Sequence, residues 1–493
     1  MKPIISSIKV AVLIAVCCFT VATASVEVVS FIAPEGMSQN GDFTVKVRTP
    51  SQDWQDVSVY LVKVDMVTVN GHASQDSSMA SFDFTGMVDV SITFNRGKIQ
   101  SARIRPLSYG ITPKVKGNAI MFSLTEPRNL SVEVNGDIFH NLQLFASPIE
   151  TNRPAFTDPN VIYFGPGIHQ VEGNVLKVPT GKTVYIAGGA VVRGQLLCSN
   201  VHDVHILGRG MLYESRGGVR IVNSTNVVVS GIVVVPSGNT VLVGQSQNVT
   251  LESIKSISCG GNYDGIDIFC SSNVVIEGVF MRNSDDCIAI YGHRRNFYGD
   301  VQNITVRNST LWAHVAHPIL VGTHGDTPNP DTLEDLRFAI IAVERKHIRQ
   351  HARRSHPEHG SPAECACAVA SRAIKITVAC LRQAARMAVI HGVGAEGEQR
   401  GQRPIGCHFE YGSSIVRAAA RSGSVEISQL FRSFRLTGRQ HEWRADKTPA
   451  HPAVWSQSGH PARTSGRAET CSIAESDRPA SLATSSKCCR FPP

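Results

Sequence analysis

The chain has 493 residues, of which 18% are charged, and a formal net charge of +8. The excess is confined to one end: residues 341–493 hold 23 Lys+Arg against 12 Asp+Glu, a net of +11, which leaves 25 against 28, or −3, for residues 1–340. This excludes a body built to bind nucleic acid, and beyond the N-terminus no stretch is long and apolar enough to cross a bilayer.

In chain order, Lys2 and Lys9 come first, followed by an apolar run from Val10 to Val21 and the small residues Ala22-Thr23-Ala24. This pattern predicts a secretory signal peptide over residues 1–24, too short for a membrane span, and a secreted protein, extracellular or periplasmic. Residues 25–150 alternate apolar and polar in short runs such as Phe43-Thr44-Val45-Lys46-Val47 and Val88-Asp89-Val90-Ser91-Ile92, with turn residues between. The spacing predicts a β-sandwich-like domain. It holds no clustered His or Cys and no carboxylate column, so its expected part is structural support or carbohydrate contact rather than catalysis.

From residue 151 a repeat takes over. Asp203-Val204-His205-Ile206, Asn226-Val227-Val228-Val229, Asn248-Val249-Thr250-Leu251, Asn273-Val274-Val275-Ile276 and Asn303-Ile304-Thr305-Val306 share one grammar, at intervals 204→227 = 23, 227→249 = 22, 249→274 = 25 and 274→304 = 30. Periods of this size mean a solenoid. The alternation lasts only four to six residues and is punctuated by Gly, Ser and Asn, so each repeat holds strands rather than helices. Val and Ile at the inward positions favour a right-handed parallel β-helix over a leucine-rich repeat. The fold class is therefore all-β: a sandwich, then a β-helix over residues 151–340, then an irregular or disordered tail over 341–493.

A second ladder runs in step with the first. Asn239, Val241 and Val243 align with Asp264, Ile266 and Ile268, then with Asp286, Ile288 and Ile290, then with His317, Ile319 and Val321. The aliphatics stack inward, and the polar members form a column at their mouth. Ionisable groups in an apolar bore are costly, so a bend before each aliphatic pair turns the column to solvent. With rungs about 4.8 Å apart, Asp264 and Asp286 become neighbours, and like charges so close push one pKa up. Taken singly, an Asp-Asp or Asp-Gly in a β-rich chain is turn chemistry; the rung-spaced combination is what points to catalysis.

At Asn262-Tyr263-Asp264, Asp285-Asp286 and a following His, the sequence resembles glycoside hydrolase family 28, the polygalacturonases and their relatives, over roughly residues 160–338. The resemblance implies Asp285 as general acid, Asp264 and Asp286 as the pair that holds and deprotonates the attacking water, and inversion at the anomeric carbon. It places the His in line with Asp286, which favours His317 over His324 in Gly322-Thr323-His324-Gly325. Asn262, Tyr291, Arg294 and Arg295 are the expected substrate-binding residues, since Arg suits a sugar carboxylate. Departures are Tyr263 for Thr, Ala316 and Pro318 for Gly, and a wider interval to the His. The layout of sandwich and β-helix is also similar to family 49, the dextranases, which gives an α-glucan hydrolase as the alternative; a non-catalytic carbohydrate-binding solenoid is the third reading.

After about Ile340 the ladder and turn spacing are not legible. The tail has 19 Arg against 4 Lys and holds 7 of the 13 Cys, and it reads as translation from a shifted frame, which implies weak or absent activity through an uncapped solenoid. Arg372-Ala373-Ile374-Lys375 imitates the family's Arg-Ile-Lys but falls on no visible rung. Cys365-Ala366-Cys367 is spaced wrongly for zinc. Cys198, Cys259, Cys270 and Cys287 are candidates to pair after export. Neither metal nor cofactor is expected; the expected partner is a polysaccharide, with no nucleic acid and no membrane, and the expected state is a monomer.

Overall fold

The computed structural model describes residues 26–68, 71–313, 315–322, 324, 331–339 and 341–344, and the backbone of four further strands, Ala363–Cys367, Ala373–Cys380, Ala388–His391 and Ser424–Gln429. The expected signal peptide lies outside the described residues, as does most of the tail.

Residues 27–148 form two facing sheets. One orders the strands Glu27–Ser30, Gly71–Thr85, Asp137–Pro148, Arg128–Val134 and Ala102–Arg105, with Tyr60–Thr68 paired to Gly71–Thr85; the other orders Gln55–Val57, Phe43–Arg48, Val88–Phe94, Ala119–Leu124 and Lys114–Lys116. Phe43–Arg48 shows why the alternation folds this way, since Phe43, Val45 and Val47 are buried while Thr44 and Lys46 are exposed. The inward sets of both sheets make one core with Phe82, Phe84, Ile92, Ile120 and Leu144, as a sandwich requires.

The second half is a parallel β-helix. The repeated Val and Ile positions meet rung on rung: Val204 opposite Val227, Val227 opposite Val249, Val249 opposite Val274, and Val274 opposite Ile304. The second ladder pairs Val241 with Ile266, Ile266 with Ile288, and Ile290 with Val321. A third row, including Val233–Val235, Lys255–Ile257, Phe280–Arg282 and Thr310–Trp312, closes each coil. Their aliphatics fill the bore with no solvent contact at Val227, Val249, Ile268, Val274 or Ile290, each worth roughly 1.5–3 kcal/mol of burial.

The Asn at each repeat start has a double purpose. Asn226, Asn248, Asn273 and Asn303 all sit at φ 55–56°, in the left-handed region that Asn tolerates better than most residues. Their side chains run in a chain across the rungs: Asn303 Nδ2 donates to Asn273 Oδ1 (2.8 Å), Asn273 to Asn248 (3.0 Å), Asn248 to Asn226 (3.1 Å) and Asn226 to Asp203 (3.0 Å).

Sandwich and solenoid share an apolar seam in which Tyr60, Val62, Val64, Met79 and Phe145 pack on Val191, Met211, Val233, Ile257 and Phe280. Polar pins reinforce it: Arg209 Nε donates to Asp83 Oδ2 at 2.9 Å, and Lys255 Nζ to Ser147 Oγ at 3.0 Å.

Two points of the sequence reading meet the structure here. First, within the tail, four strands pair by backbone with the ladder: Ala363–Cys367 in parallel with Ile319–Val321 and Ala373–Cys380 with Thr332–Ala339, followed by Ala388–His391 and Ser424–Gln429. Register shifts between Leu333 and Leu336 and between Phe338 and Ala339 hide this continuation from a search for even spacing. Ala373, Ile374 and Lys375 therefore do lie on a rung. Second, Cys198, Cys259, Cys270 and Cys287 are free thiols, three of them buried; Cys287 and Cys198 belong to the apolar bore.

Candidate active site

The polar column is built by stacking coils. Thr240 N–H donates to Asp264 O (3.0 Å), Gly265 N–H to Asp286 O (2.8 Å) and Cys287 N–H to His317 O (2.9 Å), so 264, 286 and 317 follow one another rung by rung. Gly265 permits the close approach: a Cβ there would meet Cys287 O at 2.2 Å. Asn262, at φ 58°, turns the chain just before Asp264.

Side chains repeat the stacking. Asp286 N–H donates to Asp264 Oδ1 at 3.1 Å, and Asp286 Oδ1 accepts both the His317 N–H at 3.1 Å and a bond with His317 Nδ1 at 2.9 Å. Asn239 Nδ2 donates to Asp264 Oδ2 at 3.4 Å and to Asp267 Oδ2. Oxygens of Asp264, Asp285 and Asp286 lie within 4.8 Å of one another, and among the described residues this is the one such convergence of metal-capable groups. A hard cation would want six or more oxygens, and the neighbouring Arg294 opposes a positive ion.

Beneath the Asp285-Asp286 turn sits a buried polar clamp. Asn283 Nδ2 donates to Thr240 Oγ1, Ser256 Oγ and Ser258 Oγ (3.0–3.2 Å), Ser284 N–H donates to Ser258 Oγ, and Ser258 Oγ donates to Tyr263 O. The two acidic turns are thus fixed to each other by side chains as well as by backbone.

A cleft of about 350 Å³ opens over this group, lined by the polar and acidic side chains of Asn239, Asn262, Asp264, Asp267, Asp285 and Asp286. Phe269, Tyr291, Arg294, Arg295, Leu320 and His324 complete the lining. Burial, then the charges of Asp285 and Asp286, push Asp264 up to about 7, and burial followed by Asp286 pushes Asp285 upward. Asp267 is driven well above the usual carboxylate range by burial and by Asp264. The acids therefore share protons as a group rather than titrating singly. Tyr291 is pushed up by burial and stays neutral.

Every expected site residue except His317 lines this cleft; His317 stands behind Asp286 as its hydrogen-bond partner. His324 is no idle loop residue: its ring meets the Tyr291 ring edge-on at 4.9 Å and its Nδ1 lies 3.3 Å from Arg294 Nη1, while burial and Arg294 lower its pKa. Asp267 and Phe269 were missed. Strand alternation would have found them, since Ile266 and Ile268 point into the bore and the residues between and after them point out. Phe269 and Tyr291, on successive rungs, stack at 5.6 Å.

Residues 214–346 match the family profile of Glycosyl hydrolases family 28. This segment is similar to the family 28 glycoside hydrolases. It contains the whole acidic column, both histidines and the Arg pair. No curated protein matches the sequence. Among solved structures, Dex49A from Penicillium minioluteum is 14% identical over 81% of this chain and 90% of its own, with a TM-score of 0.42. The Yersinia enterocolitica Family 28 Exopolygalacturonase is 9% identical over 69% of this chain and 83% of its own, with a TM-score of 0.34. The protein is a glycoside hydrolase, and the matched segment carries its cleft.

Proposed function

We propose that the protein hydrolyses a galacturonate-containing pectic polymer outside the cell, by single displacement with inversion. The observation that carries this reading is the presence of Arg294 and Arg295 in the same cleft as three converging carboxylates. A uronate chain presents carboxylates that a cation can meet, and a guanidinium offers them paired, charge-assisted donors; a neutral glucan has no charge to match.

In the proposed reaction Asp285 gives its proton to the glycosidic oxygen as the bond from C1 to that oxygen breaks. Water held by Asp264 and Asp286 attacks C1 from the opposite face and loses a proton to that pair, leaving a hemiacetal of inverted configuration. Asp264 is held by Asn239 and the Asp286 amide, and Asp286 by His317, which suits two fixed carboxylates gripping one water. His317 acts through Asp286 and does not touch the sugar. The nearest oxygens, within 4.8 Å, are closer than the roughly 6.5–9.5 Å between the carboxyls of most inverting pairs, so inversion rests on the family match rather than on spacing.

Secretion remains part of the proposal, as does a shifted reading frame after about residue 340. Sequencing independent transcripts tests the frame: an intact frame in each would remove it. The function is tested by incubating the protein with polygalacturonate, dextran and pullulan, and following reducing ends and the anomer first released by proton NMR. Release from polygalacturonate alone, with inverted product appearing first, is the expected result; release from dextran or pullulan alone, or retained product, would overturn the reading.

A further inference from the structure

A hairpin follows the strand Ile288–Tyr291 and folds back over earlier coils. Its strands are His293–Arg294 and Phe297–Tyr298, with Arg295 and Asn296 exposed at the tip. Phe297 is seated on Gly244, where a Cβ would stand 2.4 Å from its ring. Its ring centroid lies 5.7 Å from that of Phe269, which lines the cleft. Gln245 Nε2 donates to Tyr298 O at 3.4 Å. Gly244 pairs with Phe269 and Phe269 with Tyr291, so the hairpin reaches back across two coils.

On the next coil back stands Arg220. Its strand, Val219–Val222, pairs with Val241–Gly244, and one row across the rungs reads Arg220, Leu242, Asp267 and Ala289. Asp267 lines the cleft, and Arg220 follows on the same face two rungs of about 4.8 Å away. The guanidinium carbon of Arg220 lies 5.8 Å from the Phe297 ring centroid. Phe297 therefore stands next to both Phe269 of the cleft and Arg220.

These cations are not neutralised. Among the described residues, no carboxylate lies within 4.0 Å of Arg220 or Arg295. Asp267, the acid that bears on Arg220, gives its Oδ2 to Asn239. Burial, then the charge of Arg295, lowers the pKa of the half-buried Arg220. An anion placed between the two guanidinium groups would relieve both.

We propose that Arg220 and Arg295, set about the Phe297 ring, bind the carboxylate of a uronate beyond the bond cleaved, which makes Arg220 a specificity-determining residue of the site. The proposal deepens the proposed function and rests on its reading of the substrate as a polyuronide. A guanidinium gives a carboxylate two parallel charge-assisted bonds, and methyl esterification removes the charge they answer. The pair thus selects free acid over ester at a sugar that the chemistry does not touch.

The test measures binding by isothermal titration calorimetry in the Asp285→Asn chain, with pentagalacturonate and its methyl ester as probes. Adding Arg220→Gln should weaken the acid about tenfold at low ionic strength and leave the ester within about twofold. Arg220→Lys, which keeps a point charge without the fork, should weaken the acid about threefold. Equal weakening of both probes marks a loss of packing and overturns the proposal, as does undiminished affinity for the acid in either variant. Arg220→Lys keeps an aliphatic stem beside Phe297 and carries the comparison if Arg220→Gln does not fold. A parent chain that binds acid and ester alike sinks the polyuronide reading and this inference with it. A parent that prefers the acid, with the preference intact in Arg220→Gln, sinks the inference alone.

Discussion

The chemistry of the site comes down to where three carboxylates may keep their protons. Asp264, pushed up to about 7, binds a proton in the folded chain between pH 4 and 7 that it has lost in the unfolded chain, so its contribution is present at pH 4 and disappears as pH rises through 7. Asp264→Asn should therefore raise the thermal midpoint at pH 8, by about 1–2 kcal/mol in stability, and leave it nearly unchanged at pH 4. Calorimetry at the two pH values checks this; an equal effect at both would show that Asp264 is not strained by its neighbours. At this scale the sequence showed the Asp column and the His behind it, because they recur at rung spacing. Asp267 was passed over although the alternation of its strand turns it away from the bore, and His324, weighed only as the alternative to His317, sits on a turn whose contact with Tyr291 and Arg294 has no periodicity.

Elements hold those residues in place, and two of them carry a measurable load. In Asn273→Ala, a residue at φ 55° loses its tolerance for the left-handed region and two rungs lose a side-chain bond, so unfolding in urea should report a loss of about 1–2 kcal/mol, and less for Asn273→Gly. Arg282, with no solvent contact, donates from Nη1 to Asn141 Oδ1 at 2.7 Å and from Nη2 to Ile138 O at 2.5 Å, and lies over the Trp312 ring at 4.6 Å. Burial lowers it to about 9, so it is a buried cation at neutral pH, placed three residues before Asp285 and tied to the sandwich. Arg282→Ala removes the side-chain donor to the Ile138 carbonyl and empties a fully buried site, and should cost about 2–4 kcal/mol, seen as a lower denaturation midpoint. The Asn ladder could be read from the sequence because each rung repeats it. Arg282 could not, since its partners lie 141 and 144 residues away.

The whole molecule places a sandwich against a solenoid along one apolar seam. Alternation in residues 25–150 and the period of the solenoid made both folds legible, yet neither signal says which faces meet. That depends on non-repeating partners such as Lys255 with Ser147 and Arg209 with Asp83. The continuation beyond Phe338 was lost for a related reason, as irregular register breaks the count while leaving backbone pairing intact. The most direct measurement is kcat/KM of Asp285→Asn against wild type on polygalacturonate, with circular dichroism to confirm an unchanged fold. Loss of a general acid predicts a fall of about 10²–10⁴-fold. A folded Asp285→Asn variant that releases reducing ends at the wild-type rate would contradict the account.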